Sequence, residues 1–263
     1  MNPVPLLVLL PVLGYSQCHD GSTEECKKLL VEKHLPFGFP STGELLYREG
    51  YILSHNNWLK IPNWVAYHID KGCLDAKLGR SDDFRPDTSL KEWQRAELED
   101  YRRSGYDRGH LAPSADMKCS EEMNSDSFLL SNMAPQIGIG FNRGIWKDLE
   151  DKVRDWARTR KDVYVFTGPA FDPVGGEMRF RLLGKDRVAV PTHFFKIVID
   201  RKGPGQVEAI AFLLPNQKLP AGDLKGHLTS IEAIERMTGL DFLEKLPDEE
   251  EDRVESMPAK EPW

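Results

Sequence analysis

The segments with the strongest β character crowd the second half of the chain and do not alternate regularly with helices, which argues for a mainly antiparallel sheet rather than a wound parallel one. Trp64–Ile69, Val163–Thr167, Val188–Val190, His193–Ile199 and Val207–Leu214 are each rich in β-branched or aromatic residues and bounded by Gly, Pro or Asp. Helical signals are fewer: Leu90–Arg103, Trp146–Arg158 and Ile231–Thr238, the last with a Thr229-x-x-Glu232 capping box before it and Gly239 behind it. The expected fold class is α+β, a central mainly antiparallel sheet flanked by helices. The chain of 263 residues is 40% hydrophobic and 29% charged, enough apolar content to bury a core. Beyond the first fifteen residues no apolar run approaches the roughly 20 residues that cross a bilayer.

Composition is even from Pro36 to Leu246, without internal repeats, so residues 17–247 read as one domain. Residues 248–263 read as an acidic tail expected to be disordered. The net charge of -7 disfavours an anionic partner, but the last twenty residues alone carry -5. Conversely, Met178–Lys202 holds seven Lys or Arg against two Asp, a stripe that a phosphate would feel locally. Residues 1–16 have an apolar centre followed by Gly14-Tyr15-Ser16, which suits a signal peptide cleaved before Gln17. Secretion or export to a periplasm is expected. A mitochondrial transit peptide fits less well, because the first basic residue is Lys27. Cys18, Cys26, Cys73 and Cys119 form an even set that permits disulfides; Cys18 with Cys26 closes the shortest loop and is the first choice, with ordinary buried thiols as the alternative. No C-x-x-C exists, which removes a zinc ribbon or a thioredoxin-like redox site.

The common hydrolase and nucleotide signatures G-x-S-x-G, G-x-x-x-x-G-K-[ST] and H-E-x-x-H are absent. What remains is Tyr106-Asp-Arg-Gly-His-Leu-Ala-Pro113, then Leu130-Ser-Asn-Met-Ala-Pro-Gln136, then Asn142-x-x-x-Trp146-x-x-Leu149-Glu150-x-x-x-Arg154. This set resembles the DNA/RNA non-specific endonucleases of the ββα-metal (His-Me finger) class, and within them the endonuclease G group. Trp64-Val-Ala-Tyr67, Arg80-Ser-Asp-Asp-Phe84, Thr167-Gly-Pro169 and Val190-Pro-Thr-His-Phe-Phe-Lys196 extend the similarity to roughly Trp58–Phe242.

Phosphodiester hydrolysis needs an activated water, a cation to offset charge in the transition state, and stabilisation of the leaving oxygen. His110 is the only group of the constellation with an ordinary pKa near neutrality, which suits a general base; a structural histidine is the alternative. Asn142 offers a neutral oxygen to a hard cation that keeps several waters, and the resemblance makes it the direct metal ligand; a helix cap is the other role open to it. On one continuous helix Glu150 would lie about 80° round from Asn142 and Arg154 a further 40°. The resemblance gives Glu150 the role of orienting metal-bound water and Arg154 that of gripping phosphate, against an ordinary i,i+4 ion pair. It also makes Arg80 a phosphate-binding arginine, although Arg85 stands close by with the same chemistry. Asp107 and Arg108 flank the base, either able to orient it or to form a salt bridge; Arg108 joins the catalytic and substrate-binding candidates. Arg143 departs from the glutamine common at that place and adds positive charge. The resemblance implies a finger built of a strand ending near His110, a strand near Phe128–Ser131 and a helix from about Asn142. It further implies Mg2+ with Mn2+ as substitute, cutting of both DNA and RNA to 5′-phosphate and 3′-hydroxyl ends, and a homodimer. A non-catalytic nucleic-acid-binding protein and a secreted nuclease toxin held by a protein inhibitor are the alternatives.

Overall fold

The computed structural model describes residues 18–160, 162–173, 180–203 and 206–263. The expected signal peptide lies outside them. Helix α1 (Glu24–His34) is capped by the Thr23 hydroxyl, which accepts from the Cys26 amide at 3.1 Å, and leads into β1 (Glu44–Tyr47), β2 (Ile52–Asn56) and β3 (Ile61–His68). The short helices α2 (Lys71–Leu74) and α3 (Leu98–Tyr101) precede β4 (Tyr106–His110), and α4 (Glu121–Asp126) precedes β5 (Met133–Ile137). Helix α5 (Trp146–Thr159) is followed by β6 (Val163–Ala170), the small strands β7 (Arg181–Leu183) and β8 (Val188–Val190), and the long β9 (His193–Gly203) and β10 (Gln206–Pro215). Strand β11 (Leu228–Thr229) and helices α6 (Ile231–Thr238) and α7 (Asp248–Glu255) complete the chain.

Seven strands form one antiparallel sheet in the order β1-β2-β3-β6-β9-β10-β11, with β4–β5 and β7–β8 as separate antiparallel pairs. Side chains alternate across a strand, so Phe194 and Val198 of β9 join Trp146, Leu149 and Val153 of α5 in one core. Phe195, Ile197 and Ile199 join Leu30 of α1 and Ile231 and Ile234 of α6 in a second core on the other face. A strand covered on both faces reads as an unbroken apolar run, which is why the central strands were visible in the sequence. The α+β architecture with helices flanking an antiparallel sheet is the one expected.

Several local expectations shift. Leu90–Arg103 is not one helix: Lys91, Arg95 and Glu97 are extended, and only a 3-10 turn at Glu92–Gln94 and α3 form. Side chains compete for the backbone here, since Gln94 accepts from the Lys91 amide at 3.0 Å and Asp100 from the Glu97 amide at 2.9 Å. The cap of α6 is Ser230, whose hydroxyl accepts from the Ala233 amide at 3.1 Å, rather than a box begun by Thr229. Gly239 ends that helix in the left-handed region at φ 70°, where glycine has no side chain to strain. The finger strand expected near Phe128–Ser131 is β5, because Leu130–Asn132 is a 3-10 turn. The disulfide Cys18–Cys26 is present, together with Cys73–Cys119, and no free cysteine remains.

The acidic tail is a correction as well. Four acids in its first turn favour the α7 macrodipole, Val254 is buried, and the Trp263 carbonyl accepts from the Trp156 indole at 2.7 Å while the Trp263 ring carries the Arg160 guanidinium at 3.6 Å. Glu255 is buried with Oε1 lacking a hydrogen bond; burial, and then the carboxylates of Glu235, Glu251, Asp241 and Asp252, push its pKa up to about 8. A carboxyl raised by folding stabilises the fold fully below its unfolded value near 4.5 and loses that contribution as pH rises through about 8. Glu255→Gln is therefore expected to match the wild-type melting temperature near pH 5 and exceed it near pH 9 in thermal scans. An equal difference at both pH values would remove this assignment.

Candidate active site

In the β4–β5 pair Gly109 faces Ala134 and His110 faces Met133. A Cβ at Gly109 would lie 2.2 Å from the buried Gln136 side chain, so any larger residue there would force that side chain to move. Just past His110 the fully buried Asn132 clamps the chain: Oδ1 accepts from the Ala112 amide at 3.0 Å, and Nδ2 donates to the carbonyls of Ala112 at 2.9 Å and Ser127 at 2.8 Å. Trp146, the first residue of α5, donates from its indole to the His110 carbonyl at 3.4 Å. The end of β4 and the start of α5 are thus held against each other.

All seven residues singled out from the sequence, His110, Asn142, Glu150, Arg80, Arg108, Arg143 and Arg154, line one cavity of about 790 Å³. His110 is half-buried. Its Nε2 is shut off from solvent without a hydrogen bond, which leaves Nδ1 as the nitrogen open to the cavity. Burial, helped by the positive charges of Arg80 and Arg108, lowers the imidazole pKa to about 3. The ring is therefore neutral at physiological pH and holds a lone pair ready for a proton.

Asn142 does not belong to α5. It lies in a wide turn where Gly140, Arg143 and Gly144 depart from helical angles, and the regular helix begins at Trp146. The helical-wheel argument from Asn142 to Glu150 therefore fails, and tertiary folding, not one helix face, brings the two together. Asn142 donates from Nδ2 to Asp107 at 2.9 Å, and Oδ1 has no hydrogen-bond partner among the described residues. Asp107 also pairs with Arg143 Nε at 3.0 Å. Its place is beside the amide of Asn142 rather than behind the imidazole, and Arg143 brings less free charge than expected.

Glu150 is raised by burial, against the pull of Lys196 and Arg154. It does not form the i,i+4 ion pair with Arg154. That guanidinium instead donates to the buried Asp116 at 2.8 Å and to Asp151, and only 12% of its side chain is exposed. The expected phosphate grip of Arg154 is accordingly weakened by two carboxylates already in place. Arg80 bonds the Ser114 hydroxyl at 3.0 Å and pairs with Asp82 at 3.2 Å at the cavity wall. Arg85 is engaged by Asp83 at 2.8 Å and Asp126 at 3.2 Å and does not line the cavity. Between the two, Arg80 is the one the fold delivers to the site. Arg108 has no hydrogen bond or ion pair among the described residues.

The basic stripe at Met178–Lys202 does not form one surface. Met178 lies outside the described residues; Lys196 is fully buried; Arg201 pairs with Asp162 and Lys202 with Asp200. The cavity draws its positive charge from Arg80, Arg102, Arg108, Arg143, Lys147 and Arg154 instead. Sequence reasoning missed Asp116 and Lys196. The Lys196 ammonium sits 4.6 Å over the Trp146 ring and 3.4 Å from the Thr167 hydroxyl, with burial lowering its pKa against Glu150 and Asp116. Its signal was a lone cation in an apolar run, on the strand face of Phe194 and Val198.

The donor set fits a hydrated hard cation. Asn142 Oδ1 has no partner among the described residues and is oriented through Nδ2, and the Glu150 carboxylate lines the same cavity. The one close trio of potential ligands found among the described residues, Asp70, Cys73 and Cys119, has both thiols in a disulfide. A hard divalent ion that keeps waters and takes few protein oxygens suits the cavity better than one that needs a full cage of side chains.

The model of the DNA/RNA non-specific endonuclease family matches residues 31–249. A nuclease of Syncephalastrum racemosum is 42% identical over 228 residues, covering 81% of this chain and 71% of its own. Human mitochondrial endonuclease G is 38% identical over 214 residues, covering 79% and 72%. Among solved structures, a chain of the EndoG/EndoGI inhibition complex superposes with a TM-score of 0.78 at 34% identity, over 82% of this chain and 92% of that one.

Proposed function

The chain belongs to the DNA/RNA non-specific endonuclease family, and from that premise we propose that it is a Mg2+-dependent enzyme, tolerant of Mn2+, that hydrolyses DNA and RNA to 5′-phosphate and 3′-hydroxyl ends. The observation that carries this reading is the opening of His110 Nδ1 and the unpartnered Asn142 Oδ1 into one cavity walled by guanidinium groups. Nδ1 takes a proton from the attacking water. Asn142 Oδ1 would hold the cation, with Asp107 fixing the amide through Nδ2 so that its oxygen faces the cavity, and Glu150 would orient water there. When bound, the cation supplies positive charge against the phosphorane-like transition state and the leaving oxygen. Arg108 and Arg80 bind the phosphate, with Arg143 and Arg154 adding field from behind their carboxylate partners. Guanidinium contacts to phosphate carry no base or sugar information, which accounts for action on both nucleic acids.

Plasmid nicking with Mg2+ against EDTA, repeated on RNA and single-stranded DNA, tests the reading. Cutting of all three that requires the cation and weakens steeply between about 50 and 200 mM salt is expected. Binding without cutting under every divalent cation would make the protein a non-catalytic nucleic-acid binder. Two disulfides suit an oxidising compartment, and we read the leader as an export signal rather than a mitochondrial one, although relatives such as human endonuclease G carry the mitochondrial name. A secreted product beginning at Gln17 is the check. A homodimer gives the exposed, adjacent rings of Trp58 and Trp93 a partner, and sedimentation reads it. A protein inhibitor for this chain is proposed by analogy with the EndoG/EndoGI pair, with an acidic protein co-purifying at the basic cavity as its sign.

A further inference from the structure

No hydrogen bond to either ring nitrogen of His110 is formed among the described residues. The side-chain torsion that turns an imidazole is intrinsically broad, so packing must orient this one. Phe128, fully buried, stands edge-on to it at 4.9 Å and 88°, and Phe84 at 5.5 Å and 62°. The two phenyl rings are themselves edge-on at 4.9 Å and 87°. The same rings carry the cations: Arg108 lies 4.0 Å over Phe84, and Arg80 lies 4.6 Å over Phe128. Among the described residues no partner engages the N–H donors of Arg108, and its charge is located by a ring face rather than by a carboxylate that would compete with phosphate.

The segment bearing Phe84 is held from its other side. Arg85 bridges to Leu129, its carbonyl accepts from the Leu130 amide at 2.9 Å, and its guanidinium reaches Asp83, Asp126 and the Ser125 carbonyl. Successive side chains of extended chain point to opposite sides, so anchoring Arg85 leaves Phe84 facing His110 and Arg108.

We propose that Phe84, backed by Phe128, is a positioning residue that presents the Arg108 guanidinium to the phosphate and keeps the His110 ring turned with Nδ1 toward the cavity. The proposal rests on the roles given above to His110 and Arg108. Its test is steady-state cleavage of a short duplex with Mg2+ by Phe84→Leu, Phe84→Tyr, Arg108→Ala and the Phe84→Leu/Arg108→Ala double variant, each with a thermal melt. Phe84→Leu is expected to lower kcat/KM about tenfold without a matching loss of melting temperature, while Phe84→Tyr, which keeps the ring, stays near wild type. Arg108→Ala should cost several-fold less in the Phe84→Leu background than alone, because the platform is already gone. Full activity in Phe84→Leu, equal impairment in Phe84→Tyr, or effects that simply multiply would each overturn the proposal. Wild-type rates in both Arg108→Ala and His110→Ala would instead overturn the underlying assignment of base and phosphate contact.

Discussion

His110→Ala is expected to lower turnover roughly 10² to 10⁴-fold, the range for losing a positioned general base, while leaving the cation requirement in place. The imidazole enters the reaction as a neutral ring because burial and the neighbouring guanidinium groups hold its pKa near 3. The sign follows directly: burial and the neighbouring guanidinium groups depress the ring's pKa, so loss of activity through its protonation is expected on the acid side of the ordinary imidazole value of 6.5. Single-turnover rates for the variant, with a Mg2+ titration of each protein, make the check. Near-wild-type cutting by His110→Ala would remove the imidazole from its role, and a shifted Mg2+ midpoint would move it toward the cation.

Asn142→Ala is expected to abolish activity together with the response to Mg2+, since it removes the one unpartnered amide oxygen that the wide turn before α5 offers to the cavity. Asn142→Asp separates two contributions. The ligating oxygen survives, but the N–H donated to Asp107 at 2.9 Å is lost and a second carboxylate takes its place there. Partial activity at raised Mg2+ is the expected outcome, because the cation then offsets the repulsion between the two acids. Isothermal titration of Mg2+ into each protein, beside the cleavage rates, reads ligand loss apart from base loss. An Asn142→Ala variant that still titrates with wild-type affinity would place the cation elsewhere.

Much of the architecture was legible because its signals are local. Val188–Val190 and Ile231–Thr238 form as strand and helix at the limits read from composition and capping, and the two-residue alternation of β9 survives burial on both faces. The failures share a cause. Leu90–Arg103 has helical composition, but Gln94 and Asp100 bind backbone amides that a helix would need, and Asp100 takes a further bond from the distant Asp186 amide at 3.0 Å. The tail is ordered through Val254 and through Trp263 meeting Trp156, partners whose proximity no run of acidic residues announces.

By itself the sequence determined the central strands, the body of the helix after the site and which side chains with hydrolytic chemistry stand at the motif positions, since strand alternation and apolar periodicity are properties of a few consecutive residues. Only the tertiary structure decided what each of those side chains is free to do. Asp107 turns the Asn142 amide from 35 positions away, Asp116 occupies Arg154 from 38, and Arg80 rather than Arg85 reaches the cavity. Charge state and hydrogen-bond availability depend on neighbours in space and on the water they exclude, and the order of residues along a chain encodes those neighbours only through the completed fold.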